Sequence, residues 1–411
     1  MKSNKIPQIR FDEFTDAWEQ CALGKLLETA FQGINTAADR VNYSDNGTEI
    51  LQAKHITTGL VSFEDVRYIN KSQYPEYFPK YIPEKGDILF ANIGTIGPCA
   101  KVTENKEFLV AWNILRMIPK TKESSDFIYT VLQKLNSQGF FEKVTTGNAT
   151  KFVNKDSMLG IKMMVPDVKE QTKIGSFFST LDATITFHQR KLDLLVKSKK
   201  AYLQKMFPKN GEDKPEIRFA GFIDAWEQCR LGDVAEIVGG GTPSTSNSSF
   251  WDGDINWYAP AEIGKQIYVT ESIRKITEEG LKSSSAKILP VGTVLFTSRA
   301  GIGNTAILKE VGATNQGFQS IIPNENELDT YFIFSRSLEL KRYAETVGAG
   351  STFVEVSGKQ MAKMPILIPS IDEQTAIGTF FKTLDITITF HQSELELLKK
   401  MKQSLLQKMF I

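Results

Sequence analysis

The chain repeats itself at its edges and not in its middle. Pro7–Glu28, PQIRFDEFTDAWEQCALGKLLE, returns as Pro215–Glu236, PEIRFAGFIDAWEQCRLGDVAE, with 14 of 22 positions identical. Pro166–Phe207 returns as Pro369–Phe410 with 27 of 42 identical. The long segments between, Thr29–Met164 and Ile237–Leu367, share only short patches. One frame used twice around two unlike inserts requires a pseudo-twofold architecture, and 411 residues are enough for two domains that each bury a core.

Composition sets outer limits. With 41% hydrophobic and 24% charged residues the chain reads as globular rather than disordered. A formal net charge of +1 excludes a global basic field, so any affinity for nucleic acid has to come from local patches. The three cysteines, Cys21, Cys99 and Cys229, are too few and too far apart for a disulfide framework, which suits a reducing compartment. The opening MKSNKIPQIR has no apolar signal core, and no apolar run nears the roughly 20 residues of a membrane span. These features predict a cytoplasmic protein that does not engage a membrane.

Each half ends in a predicted long helix. Leu181, Ile185, His188, Leu192, Leu195, Lys199, Tyr202 and Met206 alternate in steps of four and three, as a heptad seam does. Leu384, Ile388, His391, Leu395, Leu398, Lys402, Leu405 and Met409 repeat the pattern. Set antiparallel about their midpoints, the seams bring Leu192 level with Leu398, Leu195 with Leu395, and Ile185 with Leu405. His188 then faces Lys402 and Lys199 faces His391, two polar layers expected to fix the register. About 28 helical residues would make a spacer of roughly 42 Å. A short amphipathic lead-in, EQT followed by I-G-[ST]-F-F, is expected before each helix, and PKNGEDKPE (208–216) reads as a linker. The divisions expected are 1–164, 165–214, 215–367 and 368–411.

The inserts read as mixed α and β. GDILFANIG (86–94) and GTVLFTSRAG (292–301) correspond as strands ending in glycine turns, and helical patches near 126–135 and 329–338 also correspond. The two inserts therefore share one α+β fold with diverged loops, the usual place for binding specificity to vary.

Catalytic signals are missing. Three histidines, two of them in the helix seam, do not make a metal cluster. Gly301-Ile302-Gly303-Asn304-Thr305-Ala306 mimics a dinucleotide loop, but no helix pattern follows it, and its first-half counterpart carries Pro98. Pro166-Asp167 with Glu170 resembles a nuclease carboxylate pattern, yet Asp167 becomes Ser370 within the repeated frame, which suits a helix start better.

Nucleic-acid signals are stronger. In Gly239–Ile263 small hydroxyl and amide residues, among them Thr242, Ser244 and Thr245, lie beside Trp251, Trp257 and Tyr258. Such donors in glycine-rich loops suit phosphate and base-edge contacts. Arg299, Asn304, Asn315 and Gln316 join them in the second insert, with Ser351 and Thr352 in GAGSTF. The first insert offers Lys54, His55, Asn92 and Thr95, and Asn148, Thr150 and Lys151 in TTGNATKF.

The patches GGTPSTS, WDGDI, W-x-x-P, GTVLF…GIG and TNQGFQ, each domain followed by P-x-x-x-EQ-x-x-I and a long helix, resemble the specificity (S) subunit of type I restriction-modification systems along essentially the whole chain. The resemblance implies two α/β target recognition domains separated by a long antiparallel two-helix coiled coil, an α+β fold. It implies that each domain reads one half of a bipartite asymmetric site in double-stranded DNA. The helices would space the domains and dock two methyltransferase (M) subunits, with restriction (R) subunits joining. No cofactor is expected in this chain; S-adenosylmethionine, ATP and Mg would belong to the partners. The first insert departs from the pattern, with FQGINTAADRVNYSD replacing the GGTPSTS run and AWNILRM (111–117) replacing TNQGFQ, so the half-sites should differ. Two other classes compete with this reading. A protein-only coiled-coil scaffold would show no DNA sequence preference, and a self-sufficient nuclease or methyltransferase would turn over alone.

Overall fold

The computed structural model describes residues 6–147, 151–209, 211–299, 301–348 and 355–411, and resolves into two compact units. One comprises residues 1–190 with 393–411, the other 191–392. Each is an α/β domain to which both long helices contribute a part.

In the first unit a ribbon of β1 (Glu19–Ala22) is completed later by β9. Between them run β2 (Leu27–Gln32), β3 (Thr48–Leu51), β4 (Arg67–Ile69), β5 (Ile88–Ile93), β6 (Thr95–Lys101), β7 (Leu109–Val110) and β8 (Ile114–Pro119). Helices α1 (Ser125–Ser137), α2 (Phe140–Lys143) and α3 (Lys155–Leu159) precede β9 (Lys162–Val165) and the 38-residue α4 (Val168–Lys205). The main sheet has the order β2-β8-β5-β6, and a smaller sheet the order β4-β3-β7.

The second unit repeats this plan. Its elements are β10 (Glu227–Arg230), α5 (Leu231–Val234), β11 (Ala235–Gly239), β12 (Trp251–Tyr258), β13 (Tyr268–Val269), β14 (Arg274–Ile276) and α6 (Glu278–Lys282). There follow β15 (Val294–Phe296), β16 (Thr305–Leu308), β17 (Gly312–Thr314), β18 (Gln319–Pro323), α7 (Thr330–Ser335), α8 (Ser337–Gly348) and α9 (Gly358–Ala362). β19 (Pro365–Ile368) and the 38-residue α10 (Ile371–Lys408) end the chain. The order β11-β18-β15-β16 matches the first unit's main sheet strand for strand, and β13 adds a parallel edge to it. In the smaller sheet, β14-β12-β17 matches β4-β3-β7, including one parallel and one antiparallel pairing. The inserts therefore have one fold in common, although their sequences have parted.

The repeated frame shows why its residues recur. Arg10 donates from Nε and Nη2 to the two carboxylate oxygens of Glu170, both at 2.7 Å, and Nη2 also reaches Asp16 O at 2.6 Å. Arg218 grips Glu373 in the same bidentate way, at 2.6 and 2.7 Å. Both glutamates are buried, at 0% and 1% exposure. The glutamine that follows each glutamate ties helix to helix. Gln171 accepts from Ser124 N at the start of α1, and Gln374 accepts from Asp329 N before α7. Asp167 caps α4 by accepting from Lys169 N and Glu170 N at 2.8 and 2.9 Å, and Ser370 accepts from Glu373 N at 3.5 Å. The Asp-to-Ser exchange is thus one between two good N-cap residues.

The expected lead-in is no separate element; it forms the first turns of α4 and α10. Its glycines allow close helix contact, because a Cβ on Gly175 would stand 2.7 Å from Phe127 N, and one on Gly378 2.3 Å from Asp329 Oδ1. The repeated Q-K-M-F then plugs each core. In the first unit Phe410 lies against Trp18, Phe127 and Phe178, with centroids 5.6–6.0 Å apart. In the second, Phe207 meets Trp226, Phe332 and Phe381 at 5.6–6.0 Å. Ile9 N donates to Lys408 O in the first unit, and Ile217 N to Lys205 O in the second.

The helix segments run antiparallel within each unit. In the first, Lys402 pairs with Asp182 and Lys399 with Gln189. In the second, Lys199 pairs with Asp385, and Tyr202 packs on Phe380. Within the first unit, Leu181, Leu395 and Met409 are buried, while Ile185, His188, Leu398 and Lys402 are half-buried. Within the second, Leu192, Ile388 and His391 are buried, while Leu195, Lys199 and Leu384 are half-buried. Each seam lysine forms an ion pair with an aspartate of the other helix, at 2.5 Å. A lysine stem is long enough to reach carboxylates a turn or more away along the partner helix, and a carboxylate offers a full charge. Lys402 also donates to Gln133, and Asp385 also accepts from Tyr331 Oη.

The clamp gives a direct test. Glu373→Leu leaves the Arg218 guanidinium half of the pair without its counter-charge and should cost about 3–5 kcal/mol in urea unfolding. Replacing Arg218 and Glu373 together by Met and Leu should cost much less, because no orphaned charge remains.

Candidate nucleic-acid interface

In the second unit the candidate residues gather at one end of the main sheet. β15 leads through Thr297 and Ser298 to Arg299, and the chain returns at Thr305. Thr297 Oγ1 donates to Gly301 O at 2.7 Å and accepts from Asn304 N at 2.9 Å, closing the turn. Gly301 and Gly303 have φ of +103° and +89°, which favours glycine. The loop joins two antiparallel strands and opens no helix, so it is a hairpin turn without the geometry of a dinucleotide site. Asn304 lies beside Gly264, where a Cβ would come within 2.9 Å of its Cγ.

Opposite this turn stands the loop after β17. Asn315 N donates to Tyr258 O at 3.0 Å, and Asn315 Oδ1 accepts from Gly317 N at 2.8 Å. That turn leaves Gln316 exposed, where it accepts from Thr242 Oγ1. Arg299 lies next to Gly317, whose Cβ position is 3.6 Å from Arg299 Nε. Thr242, Arg299, Asn304, Asn315 and Gln316 are thus brought together, half-buried or exposed, with a guanidinium, amides and a hydroxyl on one surface.

The glycine run explains how Thr242 gets there. A Cβ on Gly240 would strike Asn315 O at 2.0 Å and one on Gly241 would strike Ala286 N at 2.4 Å, so only glycine lets this segment run between its neighbours. Trp257 Nε1 donates to Gly241 O at 2.8 Å and Trp251 Nε1 to Ser244 O at 3.1 Å. Both indoles are 6% exposed and meet edge to face at 5.1 Å. They brace the loop from beneath and do not project from it. Ser244 and Thr245 are exposed beyond them. Tyr258 is corrected in the same sense: it is 0% exposed, so its ring is a wall of the core and contacts no ligand here. Burial pushes its phenol up to about 12.

The first unit builds the matching surface differently. Asn92 is 2% exposed, and its amide is engaged by Gln32 on both sides and by Val153 O. His55 is 4% exposed; its Nδ1 accepts from Gln52 N at 2.8 Å, and its Nε2 lies 3.3 Å from Asp65 O. Both are braces, since their polar atoms serve the chain itself. Lys54, Thr95 and Lys151 are exposed, and Lys54 is paired with Asp65. Gly94 N donates to Lys151 O, holding that loop against the end of β5. Asn148, Thr150, Ser351 and Thr352 lie outside the described residues.

Three residues here escaped the sequence reading. Gln32 links Asn92 to the Trp112 carbonyl, and Trp112 and Phe152 remain 44% and 37% exposed. The available signal was positional, because AWNILRM occupies the place of TNQGFQ and so puts Trp112-Asn113 where the second unit has its amides.

The sequence matches the family described as type I restriction modification DNA specificity domain twice, over residues 16–197 and 223–400. The chain belongs to this family. Each half thus carries one DNA specificity domain of the type I restriction-modification kind. Among curated relatives, the MjaIX specificity subunit of Methanocaldococcus jannaschii is 36% identical over 189 residues, 45% of this chain and 44% of that protein. The EcoR124I/EcoR124II specificity subunit of Escherichia coli is 32% identical over 170 residues, 39% of this chain and 41% of that protein. The chain thus spans less than half the length of these two. The putative MjaX specificity subunit of M. jannaschii is 23% identical over 98% of this chain and 95% of its own length. The crystal structure of the S subunit from M. genitalium has the same fold, with a TM-score of 0.66 at 14% identity over 99% of both chains. Among the described residues no group of three or more His, Cys, Asp or Glu could hold a metal, and no helix is long and apolar enough to cross a membrane.

His55 gives the chain a pH signature. Burial, aided by the charge of Lys54, lowers its pKa below the ordinary 6.5, against the opposing pull of the Asp65 carbonyl. A depressed folded pKa means the unfolded chain binds the proton more readily, so this stabilisation is present above about pH 6.5 and lost as pH falls. Thermal melts from pH 7.5 to 5 should show the wild type losing its advantage over His55→Gln on acidification; parallel pH profiles would refute the assignment.

Proposed function

We propose that the two domains read the two halves of a bipartite, asymmetric site in double-stranded DNA. The observation that carries this reading is one strand order used twice, with unlike chemistry at corresponding sheet ends. The second domain offers Arg299, Gln316, Thr242 and Asn304 there, whereas the first offers Lys151, Trp112 and Phe152 around amides that are already engaged. Arginine and glutamine at a sheet end suit guanine and adenine edges in the major groove.

The long helices carry the second part of the proposal, spacing the domains and docking two methyltransferase subunits. Part of their apolar surface is exposed. In the first unit Phe187, Leu397 and Met401 are 60%, 64% and 41% exposed. In the second, Leu194, Ile386 and Phe390 are 64%, 55% and 55% exposed. Phe187 corresponds to Phe390 and Leu194 to Leu397, and large apolar residues left open in such equivalent places suit two copies of one partner. Restriction subunits would join that assembly, and S-adenosylmethionine, ATP and Mg would act on the partners. A protein-only scaffold explains the helices but leaves the unlike polar sheet ends without a role.

Mapping methylated adenines in cells that express the chain with its methyltransferase tests the proposal, the expected result being a split motif with an unread centre. Arg299→Ala and Gln316→Ala should each relax one half of that motif only, at about 1–3 kcal/mol per base contact. Leu194→Glu with Leu397→Glu should abolish co-purification of the methyltransferase while leaving the circular dichroism spectrum unchanged.

A further inference from the structure

The first domain presents a surface that hydrogen-bond readout does not explain. At the end of its main sheet, where the second domain leaves Gln316 exposed, the polar groups are consumed internally. Gln32 Nε2 donates to Asn92 Oδ1 and to Trp112 O, while Asn92 Nδ2 donates to Gln32 Oε1 at 3.1 Å and to Val153 O at 3.0 Å. Asn113 Oδ1 accepts from Ala53 N at 3.2 Å, and Asn113 O accepts from Asn92 N at 3.3 Å. Among the described residues there, the aromatic residues Trp112 and Phe152 stay exposed, with Lys151 next to Phe152 in sequence.

The backbone that carries each ring is held by the domain. Trp112 N donates to Ile34 O at 2.8 Å, and its carbonyl accepts from Gln32. Phe152 is bridged to Ile93 and to Thr146, with Phe152 N donating to Thr146 O at 2.9 Å. At 44% and 37% exposure, each residue is more covered than open. A wedge driven between base pairs has to protrude, whereas these residues form a fixed apolar floor. The major-groove edge of DNA carries a single apolar group, the C5-methyl of thymine. The exposed Lys151 beside Phe152 supplies phosphate attraction that would bring the groove onto such a surface.

We propose that the first domain reads its half-site through thymine C5-methyl groups received on the surface of Trp112 and Phe152. This rests on the chain's proposed role as reader of a split DNA site. The two domains then discriminate by different physics: water excluded from methyl groups in one, hydrogen bonds to base edges in the other.

The test uses the full chain, with the subunits that co-purify with it, and fluorescence anisotropy on duplexes bearing the mapped motif. Each thymine in the half that Gln316→Ala leaves unaltered is replaced singly by deoxyuridine, which removes only the methyl group. At one or more positions wild-type affinity should fall about 4-fold, the worth of one buried methyl-sized group. Trp112→Ala and, separately, Phe152→Ser should bind the thymine duplex more weakly and lose the uracil effect. Wild-type protein that still rejects a scrambled duplex but is indifferent to uracil at every position, or a half-site without thymine on either strand, overturns the proposal and leaves the split-site reading standing. Failure to distinguish the motif from a scrambled duplex overturns the split-site reading itself, and this proposal with it. The uracil comparison needs no variant, so misfolding of a mutant cannot mask the answer.

Discussion

A buried arginine–glutamate pair, present twice, is the constraint around which each unit closes. Arg10 and Glu170 are 160 residues apart, as the whole first insert lies between them, and Arg218 and Glu373 are 155 apart around the second. Taking two charges out of water is expensive, and their mutual attraction repays it only when the geometry is good. Here it is bidentate on both oxygens in each unit, the arrangement that matches a guanidinium to a carboxylate best. Such a pair tolerates few substitutes: a lysine lacks the fork, and an apolar residue on one side strands a charge. The pair therefore does more than add stability. It makes the start and the end of each repeat mutually dependent, whatever sequence runs between.

The aromatic plugs do the complementary work without charge. Trp18, Phe127, Phe178 and Phe410 in one unit, and Trp226, Phe332, Phe381 and Phe207 in the other, are the same four-ring cluster built twice. Each draws one ring from the opening segment, one from the insert's helix, one from a long helix and one from just past the end of the other long helix. The first unit takes that last ring from the segment after α10 and the second from the segment after α4. Edge-to-face and tilted packing of this kind buries large area at low rotamer cost. Gly175 and Gly378 bring the insert's helix close enough to join in.

How much of this the sequence showed depended on whether the cause was periodic. The repeated frame, the heptad seams, the shared fold of the inserts and the helix start at Asp167 and Ser370 follow from spacing and type, which a sequence displays directly. The Arg–Glu clamp does not, because nothing local marks a pairing across 160 residues. The lysines' ion pairs with Asp182 and Asp385 also lay beyond a reading of seam positions, since they depend on how far a flexible stem reaches. In the loops, residue type misled in both directions. His55, Asn92 and Tyr258 look like ligand contacts but are buried braces, while Trp112 and Phe152 look like core but are exposed. Irregular segments have no period from which to read facing, so only the fold reveals it.

A frame that satisfies its own polar groups frees the sheet ends to diverge. In the second domain, Gly240 and Gly241 and the buried indoles of Trp251 and Trp257 hold the loop from beneath. In the first, the Gln32–Asn92 pair fixes the equivalent region and leaves rings outermost. Because the support differs as well as the surface, converting one sheet end into the other by exchanging only the outward residues would strip amides or glycines of the partners they need. The unit of exchange that keeps every brace satisfied is the whole insert, bounded by the clamp residues that both repeats share.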